Sequence, residues 1–75
     1  MIRVRVHCDG RRFTARAMGV TSHAYGRDAI ERALSANLMQ SGIPDCAIRF
    51  FWDDRTCSER ASFYDLAKPS SRLAA

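Results

Sequence analysis

Apolar and polar positions alternate from the first residues of the chain. Ile2, Val4 and Val6 are interleaved with Arg3, Arg5 and His7, the period-two pattern of a strand with one buried face. Asp9-Gly10 follows, a strong hairpin signal, because a type I′ turn needs positive φ at both central residues. Phe13 to Ala17 is then the return strand. With Asp9-Gly10 as the turn, Cys8 faces Arg11, Val6 faces Phe13, Val4 faces Ala15 and Ile2 faces Ala17. The last three pairs are all apolar. The other face pairs His7 with Arg12, Arg5 with Thr14 and Arg3 with Arg16. A slip of one residue would destroy this sorting.

The period then changes. Ser22 is placed to cap a helix running to about Gln40. Ile30, Ala33, Leu34 and Leu38 form its apolar stripe. Arg27 with Glu31 and Asp28 with Arg32 are spaced to neutralise one another at i,i+4 on its polar face. Gly42 fits the left-handed residue after the helix, Ile43 can fold back onto Leu38, and Pro44 prevents continuation. Alternation returns from Cys46 to Trp52, with Cys46, Ile48, Phe50 and Trp52 on one face and Ala47, Arg49 and Phe51 on the other. The crossover through the helix brings this third strand beside the first and antiparallel to it, giving sheet order 2-1-3.

Residues 56–68 carry two readings. Thr56-Cys57-Ser58-Glu59 has the form of a capping box opening a helix that Pro69 stops. Asp53 to Thr56 also reads as a turn into a strand through Ser62-Phe63-Tyr64, and the balance leans to the strand. The fold expected is therefore α+β: a small antiparallel sheet with one helix on one face, ββαβ(β), with a fourth strand or a short C-terminal helix at the end. Residues 1–68 form a single domain and 69–75 a flexible tail. The expected core is Ile2, Val4, Val6, Phe13, Ala15, Ile30, Leu34, Leu38, Ile48, Phe50 and Trp52. Phe63 belongs with it, whereas Phe51 and Tyr64 are the aromatics expected to be exposed.

A chain of 75 residues supports one thin core. The first strand alternates too strictly for a signal peptide, and no apolar run approaches the ~20 residues of a membrane span. A cytoplasmic protein is expected. Three cysteines fit that compartment, since a secreted domain of this size usually carries an even set. Their spacing holds no C-x-x-C motif, so no zinc site is expected. Cys8 and Cys46 fall on the helix side as small core residues, while Cys57 is exposed and able to link two chains when oxidised. His7 and Cys8 point to opposite faces and cannot form a nucleophile pair. There is no phosphate-binding glycine loop, and Asp53-Asp54 is turn chemistry. Neither catalysis nor a cofactor is expected.

Charge sharpens the picture. The net +4 resides entirely in residues 1–20, where Arg3, Arg5, Arg11, Arg12 and Arg16 stand against Asp9 alone. The sheet face away from the helix thus collects Arg3, Arg5, His7, Arg12, Arg16, Arg49 and Phe51, the candidate binding residues. Like charges directly opposite one another destabilise a strand pair. Such a face needs an anion, an acidic partner or carboxylates of its own, Glu59, Asp53 and Asp65 being the internal candidates. The plain alternative is a solvated charged surface. An exposed aromatic on a basic sheet is also the device of single-stranded nucleic-acid platforms, although Phe51 is the only ring available.

In layout, Ile2 to Trp52 resembles small prophage and mobile-element proteins of the anti-CRISPR kind. The likeness is carried by the tight turn in Cys8-Asp9-Gly10-Arg11, the return strand Phe13-Thr14-Ala15-Arg16-Ala17, the helix segment Ala29-Ile30-Glu31-Arg32-Ala33-Leu34-Ser35-Ala36 and the strand after it. It covers about two thirds of the chain and transfers no functional residue, because those proteins share no common motif. It implies a stoichiometric inhibitor in the bacterial cytoplasm that docks on a Cas subunit or its nucleic-acid channel. The basic surface departs from acidic, DNA-mimicking members and favours an acidic protein patch or nucleic acid as partner. A nucleic-acid-binding domain and a dimeric phage regulatory or structural protein are the alternatives. The chain is expected to be a monomer or weak dimer.

Overall fold

Glycines at positive φ close two hairpins in succession. A computed structural model describes residues 1–68; the expected tail at 69–75 and the Pro69 stop lie outside the described residues. Strand β1 (Ile2–Asp9) turns through Gly10-Arg11 into β2 (Arg12–Ala17). Gly10 has φ 68° while Arg11 stays at negative φ, the pattern of a type II′ turn, which demands glycine only at its first centre. The turn is thus one residue later than Asp9-Gly10. Asp9 becomes a strand residue paired with Arg12, Val6 faces Ala15, and Arg5 rather than Arg3 faces Arg16. The ladder moves by two residues, so every side chain keeps its expected face. The later turn also adds an opposite-charge pair, Asp9 with Arg12, to the ladder.

The second turn was not expected. Met18 and Gly19 take φ 53° and 77°, the two positive values of a type I′ turn, and lead into β3 (Val20–Ala24). Ser22 is therefore a buried strand residue opposite Ala15, not a helix cap. Its Oγ accepts a hydrogen bond from Asn37 Nδ2. Helix α1 (Arg27–Gln40) starts five residues later than Ser22, with Gly26 at its N-cap and no side-chain cap.

The extra strand reverses the chain before the crossover. Strand β4 (Ile48–Trp52) lies beside β1 as expected, but parallel to it, with Val4 opposite Phe50. Had β2 fed the helix directly, β4 would run antiparallel to β1. The sheet is accordingly mixed rather than antiparallel, in order β3-β2-β1-β4-β5, and the 2-1-3 adjacency survives within it.

Residues 56–68 contain both candidate elements. Strand β5 (Cys57–Arg60) pairs with β4 at the edge, and α2 (Phe63–Ala67) follows. Ser62, not Thr56, caps that helix by accepting from the Asp65 N–H at 3.4 Å. The strand does not continue through Phe63 and Tyr64, because Asp45 captures this segment. Its carboxylate accepts from the Ser62 hydroxyl and from the Tyr64 N–H. These bonds, led by that from Ser62, hold the Asp45 carboxyl below its ordinary range. Phe63 drops into the core, fully buried. Tyr64 is half-buried instead of exposed, its hydroxyl donating to the Ile43 carbonyl at 2.9 Å.

The core lies between α1 and one face of the sheet. Val4, Ala15, Ile30, Leu34, Leu38, Ile48, Phe50 and Phe63 are fully buried there. Phe13 is half-buried at the margin, edge-on to Trp52 with ring centroids 5.5 Å apart. The helix ends as its sequence demands. Gly42 has φ 82°, its N–H donates to the Met39 carbonyl, and Ile43 N–H reaches Leu38 O at 3.2 Å. This is the Schellman motif. The i,i+4 ion pairs on α1 do not form. Glu31 is buried against β5, where Ser58 donates to it at 2.7 Å and Arg60 stands 3.7 Å away. Arg27 turns to Asp54 instead.

Leu34→Ala should cost about 2–5 kcal/mol and leave much of so small a domain unfolded, read by urea denaturation. Met18 takes up a left-handed conformation that side chains with a Cβ resist by about 1–2 kcal/mol, asparagine least among them. Met18→Asn should therefore raise the urea midpoint without changing the slope, and a lowered midpoint would show that the turn carries no such strain.

Candidate binding face

The ladder registers place the charged residues in rows across the sheet. One row runs Thr21, Arg16, Arg5, Phe51, Cys57 from β3 to β5. The next toward the start of β1 holds Arg3, Arg49 and Glu59, and the next toward its end holds His23, Thr14 and His7. Arg12 and Asp9 close the face beside the first turn. All seven candidate residues, Arg3, Arg5, His7, Arg12, Arg16, Arg49 and Phe51, thus stand on the face opposite α1. The shift in hairpin register leaves this grouping intact and changes only which arginines are neighbours.

Carboxylates engage Arg49 and His7. Arg49 Nε donates to Glu59 Oε1 at 2.8 Å across the β4–β5 ladder, and the same guanidinium lies 5.9 Å from the centre of the Phe51 ring. His7 Nδ1 is 2.9 Å from Asp53 Oδ2, which also accepts the Cys8 N–H at 3.0 Å. Asp65, the third internal candidate, stands by Lys68. Arg16 donates through Nε to the Thr21 hydroxyl at 3.2 Å. Among the described residues, Arg3, Arg5, Arg12 and Arg16 have no carboxylate within ion-pair distance. Arg5 and Arg16, directly opposite in the ladder, repel one another.

Two members of the face were missed in the sequence, Thr21 and His23, together with Met18 in the turn that leads to them. Ser22 breaks the apolar alternation of Val20 to Ala24, and Gly19 just before it was the available turn signal. His23 Nδ1 and Thr14 Oγ1 sit 3.0 Å apart across β2 and β3. Met18 is exposed at the tip of that hairpin.

A second feature lies at the ends of β1 and β4. There Cys8, Phe13, Arg27, Trp52, Asp53 and Asp54 line a shallow pocket of about 230 Å³. Arg27 stacks 4.7 Å from the centre of a Trp52 ring and donates to the Thr56 hydroxyl at 2.9 Å and to Asp54. Asp54 also accepts from the Thr56 N–H and hydroxyl. These bonds, Thr56 foremost, hold its carboxyl down from 3.8 to about 2. Arg27 and Asp54 are therefore committed to fixing the 53–56 turn against the start of α1. All three cysteines are free. Cys57 is exposed as expected, whereas Cys8 and Cys46 are half-buried rather than fully enclosed. Cys8 Sγ donates to the Gly10 carbonyl at 3.1 Å.

Among the described residues no helix is long and apolar enough to cross a membrane. Comparison with protein-family models, with curated proteins and with solved structures returns no match.

Asp54 provides a pH test. A carboxylate whose folded pKa is depressed stabilises the fold above its unfolded pKa, and that contribution is lost as pH falls through the folded value. The stabilisation from Asp54 is therefore complete above about pH 4 and disappears as pH falls toward 2. Asp54→Asn should lower the melting temperature at pH 7 and reduce its dependence on pH between 4 and 2. An unchanged acid profile would show that the turn does not rely on this ion.

Proposed function

We propose that this chain is a non-catalytic binding protein that docks on an acidic patch of a partner protein through its exposed sheet face. The observation that carries the reading is the group of arginines on one sheet face, Arg3, Arg5 and Arg16 with Arg12 beside the first turn. None of them has a carboxylate within ion-pair distance among the described residues, Asp9 facing Arg12 only across the ladder. Guanidiniums pair bidentately with carboxylates, and rigid placement reduces the entropy lost on binding. Relief of the repulsion between Arg5 and Arg16 adds to the gain from a partner.

A protein is favoured over nucleic acid by the margins of the face. Asp9, Asp53 and Glu59 border it and would repel a phosphate backbone, whereas a protein surface can match such a mixed pattern. Among the described residues Phe51 is the one Phe, Tyr or Trp ring on the strands of this face, and it is 36% exposed with Arg49 beside it, which leaves little platform for stacked bases. The resemblance drawn from the sequence of Ile2 to Trp52, although β3 adds a strand to that layout, makes a Cas subunit in the bacterial cytoplasm the first partner to test.

The experiment expresses the chain in a CRISPR-immune host and counts plaques of a targeted phage. Restored plaquing with wild type and loss of it with the double variant Arg5→Gln, Arg16→Gln is the expected result. The variant should melt at or slightly above the wild-type temperature. Two charge-assisted contacts of roughly 1.5–3 kcal/mol each correspond to binding weakened by about a hundredfold or more. Full activity in the folded variant would mean that the face is only solvated. Tight, strongly salt-dependent binding to bare single-stranded DNA would replace the protein partner with a nucleic acid.

A further inference from the structure

The two edges of the sheet are built differently. β5 is four residues long and carries Glu59 and Arg60, the shortness and charge by which proteins blunt an edge against pairing. β3, at the other edge, reads Val20-Thr21-Ser22-His23-Ala24 and contains no Lys, Arg, Asp, Glu or Pro. Its free backbone groups follow from the turn. Across a two-residue turn the flanking pair, Ala17 with Val20, is hydrogen-bonded, and antiparallel pairs alternate from there. Val20, Ser22 and Ala24 therefore bond to β2, while Thr21 and His23 direct their N–H and C=O groups outward. Two large apolar side chains flank this edge, Met18 at 65% and Tyr25 at 77% exposure.

We propose that β3 pairs with β3 of a second copy of this chain, antiparallel about a two-fold axis through Ser22. In that register Thr21 faces His23 of the second copy. The two residues exchange N–H and C=O bonds, which uses every outward group of Thr21 and His23 in both strands. Ser22 meets itself, and Val20 meets Ala24 on the helix side. Tyr25 comes beside Gly19 and Met18 of the second copy, so the exposed apolar groups cover one another. The edge strand contains no Lys, Arg, Asp or Glu, so the axis sets none of these charges against its own copy. A two-fold axis perpendicular to the sheet keeps faces on the same side. The dimer is therefore one continuous sheet with both arginine faces aimed in one direction. An edge this short falls well below the ~1,600 Å² of a standard interface, so the pairing is concentration-dependent. It stands independently of the docking function proposed above.

The test is sedimentation velocity of the full chain from micromolar to millimolar concentration, with amide hydrogen exchange on the same samples under reducing conditions. A dimer should grow with concentration, and the Thr21 and His23 amides should gain protection in step with it. Thr21→Pro removes an outward N–H where an edge strand tolerates proline. With two hydrogen bonds lost per dimer at about 0.5–1.5 kcal/mol each, it should weaken association by about tenfold or more. Tyr25→Ser changes a side chain that is exposed in the monomer. It should weaken association without lowering the melting temperature of the dilute protein, and it keeps the test decisive if Thr21→Pro does not fold. A monomer at millimolar concentration, a dimer indifferent to Tyr25→Ser, or Thr21 and His23 amides that exchange equally fast at every concentration would each overturn the proposal.

Discussion

The reversal at Met18-Gly19 is the constraint on which the rest of the topology depends. Two successive residues at positive φ send the chain back along β2 before it enters the helix. This turn adds β3, delays the start of α1 to Arg27, and makes β3, β1 and β4 run in one direction. It also places the start of α1 at the same end of the sheet as the last residues of β1 and β4. Arg27 can then stack on Trp52 and hold Asp54. Without the turn, the chain would enter the helix at the opposite end, and these partners could not meet.

The same reversal shapes the charged face. β3 gives Arg16 a neutral neighbour, Thr21, in place of solvent. β5, at the far side, gives Arg49 a carboxylate. The sheet thus neutralises its basic face from one edge and leaves the centre, Arg3, Arg5 and Arg16, without counter-charges among the described residues. Exposed ion pairs such as Arg49 with Glu59 contribute little to stability. The core beneath must hold the fold against the central repulsion. It does so with residues from β1, β2, α1, β4 and α2 in one cluster.

Much of the fold and all seven candidate positions on the face were legible in the sequence, for a specific reason. Side chains alternate along a strand, so an error of two residues in register leaves each on its expected face. Ile2, Val4 and Val6 on one side and Arg3, Arg5 and His7 on the other were insensitive to where the turn fell. What was not legible depended on single backbone choices. Asp9-Gly10 fits a type I′ turn, yet Gly10 alone suffices for II′, and both forms satisfy the local pattern. Met18 at positive φ contradicts the residue preference by which turns are recognised. Ser22 fits both a cap and a strand, and only the tertiary contact with Asn37 decides between them. Strand direction was misread because it depends on the number of preceding reversals, and one had been missed.

Glu31 carries the same lesson from local pattern to tertiary structure. Its spacing from Arg27 matched a surface ion pair, but it lies 4% exposed on the side of α1 that meets β5. A carboxylate in that position needs partners close by, since an unpaired buried charge is costly. Ser58 donates to Oε2, and Arg60, two residues on in the strand below, stands 3.7 Å from Oε1, which accepts no hydrogen bond. β5 pairs with β4 through its backbone, so these side-chain contacts give it a second attachment, to the helix. A four-residue edge strand has few ladder bonds of its own. The buried carboxylate thus helps hold in place the strand from which Glu59 reaches Arg49, and the far margin of the charged face depends on an acid hidden beneath it.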